Sequence, residues 1–382
     1  MATRRWRWLV AAVAVLYPAG VWLLFLRPVP RSDLAVYLAA GHGLLHGLSP
    51  YPELGSASVY SGHAFVYPIG AALPFVPLAL LPAALADLVY FGLAGAALLL
   101  AVYWSPSRYS LPAYLGVFGA ATTVRGLQVG TLNAFLLLGC MTAWHFRDRA
   151  GRTGPALALV FASKLFLLPL ALWLPIVRRW RALVVTTALT AVLLLGGFAL
   201  GPIGARDYAR MLGELTAHET RDGFALYRFV QGLGLAPEAA RWCVLLVAAA
   251  VVTAALVVWR RTGDEAVVFA GGVLTALLVS PIVWSHYLVL ALAPLLAAAA
   301  GGWSFAAFAA ATWALIPPVG AGPLSALSAE LPGLVRIGGP QLLLLGVFVV
   351  VCAGQPSRTG APVVTEARNR GSSVTTKYDT SG

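Results

Sequence analysis

Long apolar runs separated by short polar or basic links repeat along the whole chain. A run of about 18 or more apolar residues is long enough to cross a bilayer as one helix. The stretches 7–26, 84–104, 182–200, 240–259 and 334–353 read as such helices. Other stretches are shorter or interrupted. "AFVYPIGAALPFVPLALLP", residues 64–82, is broken by Pro68, Pro74, Pro77 and Pro82. Proline inside a helix frees backbone groups that lipid cannot satisfy. This stretch therefore predicts bent segments lying in one leaflet, with a spanning helix as the alternative.

Between the runs sit four basic clusters: Arg4-Arg5-Arg7, Arg147-Asp148-Arg149 with Arg152, Arg178-Arg179-Arg181, and Arg260-Arg261. Basic links mark the cytoplasmic side of a membrane protein, and the threading follows from placing all four there. The first span exits, leaving 27–63 outside. Residues 84–104 return and 111–125 exit again. The helix opening "TLNAFLLLG" comes back to "RDRAGR". "PALALVFASKLFLLPLALWLPIV" has cytoplasmic clusters on both flanks, so one crossing fails on parity. Two short helices turning near Lys164 satisfy both, and place Lys164 towards the outer face. Then 182–200 exits, 201–238 forms a second outside loop, 240–259 returns and 266–280 exits. "SPIVWSHYLVLALAPLL" returns, and a hairpin of 303–318 and 334–353 follows. The expectation is an all-α polytopic membrane protein of about 12 transmembrane helices. It has a single membrane domain over 1–353, with 27–82 as the first extracytoplasmic loop and outer-leaflet segments. The Ser/Thr/Gly/Arg-rich tail 354–382 lacks apolar periodicity and reads as disordered and cytoplasmic.

Composition agrees. Of 382 residues, 60% are hydrophobic and 10% charged, where a soluble domain carries roughly a quarter charged. Mean hydropathy is +0.83. The net charge of +12 invites a nucleic-acid reading. Its confinement to short inter-span links argues for topology instead, so no nucleic-acid partner is expected. Cys140, Cys243 and Cys352 lie far apart in apolar runs, without a disulfide or metal pattern. The N-terminus has the charge order of a signal peptide, but its apolar run is too long and lacks a small-residue cleavage site, so it reads as a retained span.

The threading gathers the unusual polar residues on the outer side: Asp33, His42, His46, Arg125, Gln128, Asn133, Lys164 and His286, with Tyr51, Tyr67 and parts of 201–238. Polar groups in or beside spans are costly and face cavities or partners. Each has two readings. Asp33 opens the helical "DLAVYLAAGHGLLHG", either as an N-cap carboxylate or as a general base. Lys164 either snorkels to a headgroup or meets a lipid-linked phosphate. Arg125 anchors at the interface or shares that phosphate. Gln128 and Asn133 cap a helix start or bind sugar hydroxyls. His286 is structural or catalytic. His42 and His46 share a helix face but lack a third ligand, so no metal site is expected.

These phrases in this order resemble a known family. "DLAVYLAAGHGLLHGLSPY", "FVYPIGAALPFVPLALLP", "LQVGTLNAFLLLG", "ASKLFLLPLALWLPIVRRWRA" and "SPIVWSHYLVLALAPLL" look like glycosyltransferase family 87, the actinobacterial polyprenyl-phosphate-mannose-dependent mannosyltransferases of the GT-C fold. The resemblance spans roughly residues 5–355 and rests on order and spacing. It implies a plasma-membrane enzyme with an outward-facing site, a polyprenyl-phosphate-mannose donor, a glycolipid or lipoglycan acceptor, and inverting transfer, commonly α-(1→2). It carries the family's base onto Asp33, its late histidine onto His286 and its lysine onto Lys164. Arg125 joins the donor phosphate, and His46, Tyr51, Tyr67, Gln128 and Asn133 are expected to bind substrate. No cofactor is implied. The chain departs from the family pattern at Leu127-Gln128, where the usual glycine is shifted to Gly126, at Tyr67-Pro68-Ile69, and in "HETRDGFALYRFVQG". Another lipid-linked sugar such as arabinofuranose is one alternative. A transporter or flippase is another, although no internal repeat supports it, and a structural scaffold is a third.

Overall fold

The computed structural model describes residues 31–354 except 61–63, 109 and 220–222, together with 12, 15–16, 19–26 and 29. The first basic cluster, the start of the first expected span and the tail beyond Gly354 lie outside the described residues. Among the described residues every regular element is helical. The α-helices of seven or more residues among them are α1 (Ser32–Leu45), α2 (Ala83–Tyr103), α3 (Leu111–Gly119), α4 (Ala121–Val129), α5 (Asn133–His145), α6 (Ala150–Ser163), α7 (Trp180–Leu200), α8 (Ala205–Glu219), α9 (Leu226–Gly232), α10 (Pro237–Thr262), α11 (Glu265–Val279), α12 (Gly302–Leu315), α13 (Pro323–Glu330) and α14 (Gly333–Ala353).

Among the described residues four helices are long and apolar enough to cross a bilayer singly: Ala83–Tyr103, Trp180–Ala199, Pro237–Thr262 and Gly333–Ala353. The other expected crossings among them are shorter or broken helices, and the count of about 12 is not established by these four. The one expected at 111–125 divides at Ala120, whose extended backbone separates α3 from α4. Residues 69–79 form 3-10 turns and one short helical turn, as the prolines dictate. At Lys164 the backbone is extended (φ −145°), and α6 gives way to 3-10 turns over Leu165–Leu172. The turn near Lys164 read from charge parity is present.

Helix α11 lies at the centre, with residues 266–278 buried without interruption. A helix apolar all round has no face to offer water. It packs against α10, α14 and the Leu165–Leu172 segment, while α6 packs along α7. A Cβ on Gly154 would sit 2.4 Å from the Val185 side chain, so this small residue lets α6 and α7 approach closely.

At one end of the bundle three basic links meet. Arg179 pairs with Asp148 and with Glu265, each at 2.8 Å, and Arg147 lies 3.6 Å from Glu265. Thr262 and Gly263, beside Arg260-Arg261, line the same recess. Helices α6 and α11 both start at this end. Their 14 and 15 residues carry the chain about 20 Å to the opposite end, where Lys164 and the 280–287 segment lie.

Candidate active site

A cavity of about 560 Å³ opens at that opposite end. Asp33, Tyr67, Arg125, Lys164 and His286 all line it, although they come from five separate stretches of chain. The threading gathered ten named residues on one side, and five of them share this cavity.

Asp33 sits in the first turn of α1, half-buried. Arg31, not Asp33, is the N-cap residue, and its side chain makes no capping bond. Asp33 is therefore in the first turn rather than at the N-cap, where a carboxylate suits the positive end of the helix. Ser32 Oγ donates to Asp33 Oδ1 at 3.4 Å. The start of α1 is held from two sides. Arg31 pairs with Asp87 at 3.3 Å and lies 4.7 Å over the Phe91 ring, both on α2. On the other side Gly130, with φ +81°, ends α4, and a Cβ there would be 2.5 Å from Leu34 Cβ. Only glycine permits both the left-handed turn and that approach.

Lys164 is 3% exposed. Its ammonium lies 3.9 Å from the Tyr287 ring centre and 5.2 Å from that of Tyr67, and donates to Asn133 Oδ1 at 3.4 Å. Ring faces and an amide oxygen stabilise a cation removed from water. Asp33, Lys164 and Arg125 line the same cavity, so acid and basic groups face one space. The backbone that presents His286 is anchored twice: Thr122 Oγ1 donates to the Ser285 carbonyl at 2.6 Å, and Asn133 Nδ2 donates to the His286 carbonyl at 2.8 Å.

The remaining expected site residues do not line the cavity. Asn133 lies beneath it, its amide spent on Lys164 and His286. Gln128 is fully buried, donating to the Phe25 and Val319 carbonyls and accepting from the Val319 N–H. Tyr51 OH donates to the Tyr67 carbonyl at 3.0 Å, and Tyr208 OH to that of Val66 at 3.1 Å. Burial pushes both phenols up, so both remain protonated donors. His46 is exposed at the far end of α1, 4.4 Å ring to ring from His42. Among the described residues no three His, Cys, Asp or Glu side chains converge as metal ligands.

The sequence reading brought parts of 201–238 to this side, but as a loop and without named residues. Residues 201–238, taken as a loop, contain α8, which contributes Tyr208, Leu212, Leu215, Thr216 and Glu219 to the lining. The signal was present: Tyr208, Met211, Leu212 and Leu215 follow the i, i+3, i+4, i+7 spacing of an amphipathic helix. Trp284 and Tyr287, either side of His286, also line the cavity.

A sequence model of glycosyltransferase family 87 matches residues 65–281. The chain belongs to glycosyltransferase family 87. No curated protein and no solved structure matches it. Family membership makes it a membrane glycosyltransferase, which displaces the transporter and scaffold alternatives. The family match takes in Tyr67, Arg125, Lys164 and all of α8. Asp33 and His286 fall on either side of the matched stretch, and it is the fold that brings them into the same cavity.

Proposed function

We propose that this glycosyltransferase moves mannose from a polyprenyl-phosphate donor to a glycolipid or lipoglycan acceptor at the outer face of the plasma membrane. Transfer inverts the anomeric centre and forms an α-(1→2) linkage. The observation that carries this reading is one cavity that joins Asp33 to Arg125, Lys164 and His286.

In this reading the donor phosphate lies against Lys164 and Arg125, where fixed positive charge stabilises the charge that grows on the leaving group. Asp33 takes the proton from an acceptor hydroxyl as its oxygen attacks the anomeric carbon from the side opposite the phosphate. The carbon–oxygen bond to phosphate breaks, and the polyprenyl phosphate departs with the electron pair. Phosphate leaves without protonation, so one carboxylate suffices where glycosidases use two. His286 orients the acceptor or the phosphate. Asn133 holds Lys164 and the His286 backbone in place, a positioning role rather than substrate contact. The isoprenoid tail runs along the bent 64–82 segment, which places Tyr67 and Pro68 in the cavity wall and exposes Leu73 and Leu80. The outward orientation is supported by the basic links gathered at the far end of α6 and α11.

The test is incubation of purified protein with radiolabelled polyprenyl-phosphate-mannose and a membrane lipid extract. Label moving into a glycolipid fraction is expected. Absence of transfer beside an active control enzyme overturns the reading.

A further inference from the structure

We propose that Thr216 and Glu219 on α8, together with Trp284, form the subsite for the acceptor's terminal sugar. These side chains, rather than the cations that meet the donor phosphate, then set how the acceptor is held. This inference rests on the transferase reading above and specifies its second substrate.

The cavity lining is chemically divided. Its cations, Arg125 and Lys164, come from α4 and the break after α6, with Asp33 and His286 beside them. Helix α8 brings no cation to the lining. Its Tyr208, Met211 and Leu215 are buried in a small core of their own with Val59. Leu212, Thr216 and Glu219 stand at i, i+4 and i+7, one adjoining stripe of the same helix, and all three line the cavity. Glu219 shares this lining with Tyr67 and Tyr287, the two rings that flank the Lys164 ammonium.

A carboxylate there attracts neutral hydroxyl donors. It accepts two hydroxyl hydrogen bonds in the strong, charge-assisted form. Thr216 adds a hydroxyl that both donates and accepts. Trp284 offers an extended ring face for the C–H face of a pyranose. A few polar groups set among apolar and aromatic ones is how a pocket fixes the orientation of a neutral ligand.

The test is steady-state kinetics with polyprenyl-phosphate-mannose as donor and octyl α-mannopyranoside as acceptor probe. Glu219→Gln is expected to raise the acceptor KM about tenfold or more, the size of a lost charge-assisted hydrogen bond. The donor KM and kcat should stay within about twofold. Glu219→Asp, which keeps the charge on a shorter arm, is expected to recover part of the loss, and Thr216→Val to move the acceptor KM the same way by less. A retained kcat shows that the variant is folded. An unchanged acceptor KM in active Glu219→Gln enzyme overturns the subsite, as does an equal rise in both KM values. Wild-type protein inactive with this donor overturns the transferase reading itself, and the subsite with it. The two failures are distinct because the first requires an active enzyme.

Discussion

At the scale of single residues, what matters is where a polar side chain sends its hydrogen bonds. Gln128 and Asn133 look alike in sequence, each a lone amide beside an apolar helix start. In the fold Gln128 bonds the Phe25 and Val319 backbone and accepts from Arg125 Nη1 at 3.5 Å, whereas Asn133 spans Lys164 and His286. Asp33 differs from both, since its carboxylate stands in a cavity and outside the capping position. Asp33→Asn keeps the shape and removes the base. It is expected to lower kcat by about 10²–10⁴ with little change in donor KM, read by radiolabel transfer. Wild-type turnover by a normally expressed Asp33→Asn protein would remove Asp33 from the mechanism.

At the scale of elements, two helix ends decide whether Asp33 is in place. The break at Ala120 and the left-handed Gly130 make α4 a short helix that stops against Leu34. Gly130→Ala adds a Cβ at positive φ in contact with Leu34 Cβ and, at 3.0 Å, its backbone nitrogen. The expected cost is about 1–3 kcal/mol, seen as a lower thermal midpoint, together with reduced transfer as α1 shifts Asp33. Leu34→Ala in the same protein is expected not to rescue it, because the clash is with atoms that alanine retains. Full recovery by Leu34→Ala would show that the contact is not the one described. Helix α8 carries the complementary lesson. Its amphipathic spacing was legible, but a mean hydropathy too low for a span concealed it among loop residues. Its apolar side is buried by Val59 and neighbours brought from the first loop, a partnership that no local pattern records.

At the scale of the whole molecule, the ion pairs among Asp148, Arg179, Arg147 and Glu265 mark one end and the cavity the other. If the basic end is cytoplasmic, the first loop is outside. With Cys140, Cys243 and Cys352 replaced, a membrane-impermeant maleimide is expected to label Glu53→Cys in intact cells. Arg152→Cys should react only after permeabilisation. Both positions are exposed. The opposite pattern would invert the topology and place the cavity inside.

The sequence by itself determined the membrane class, the helical content, the sidedness argument and the family resemblance. Hydropathy, proline breaks and basic links are local properties, written where they act. It also singled out Asp33, Arg125, Lys164 and His286, because charged and polar side chains are costly in apolar surroundings. The tertiary structure alone decided which of the candidates face one another. Gln128 meets Val319 across 191 positions and Asn133 meets His286 across 153. The wall built by α8, with Glu219 in it, arises the same way. Such contacts depend on how helices pack in three dimensions, and a one-dimensional pattern of apolar and polar residues leaves that packing open.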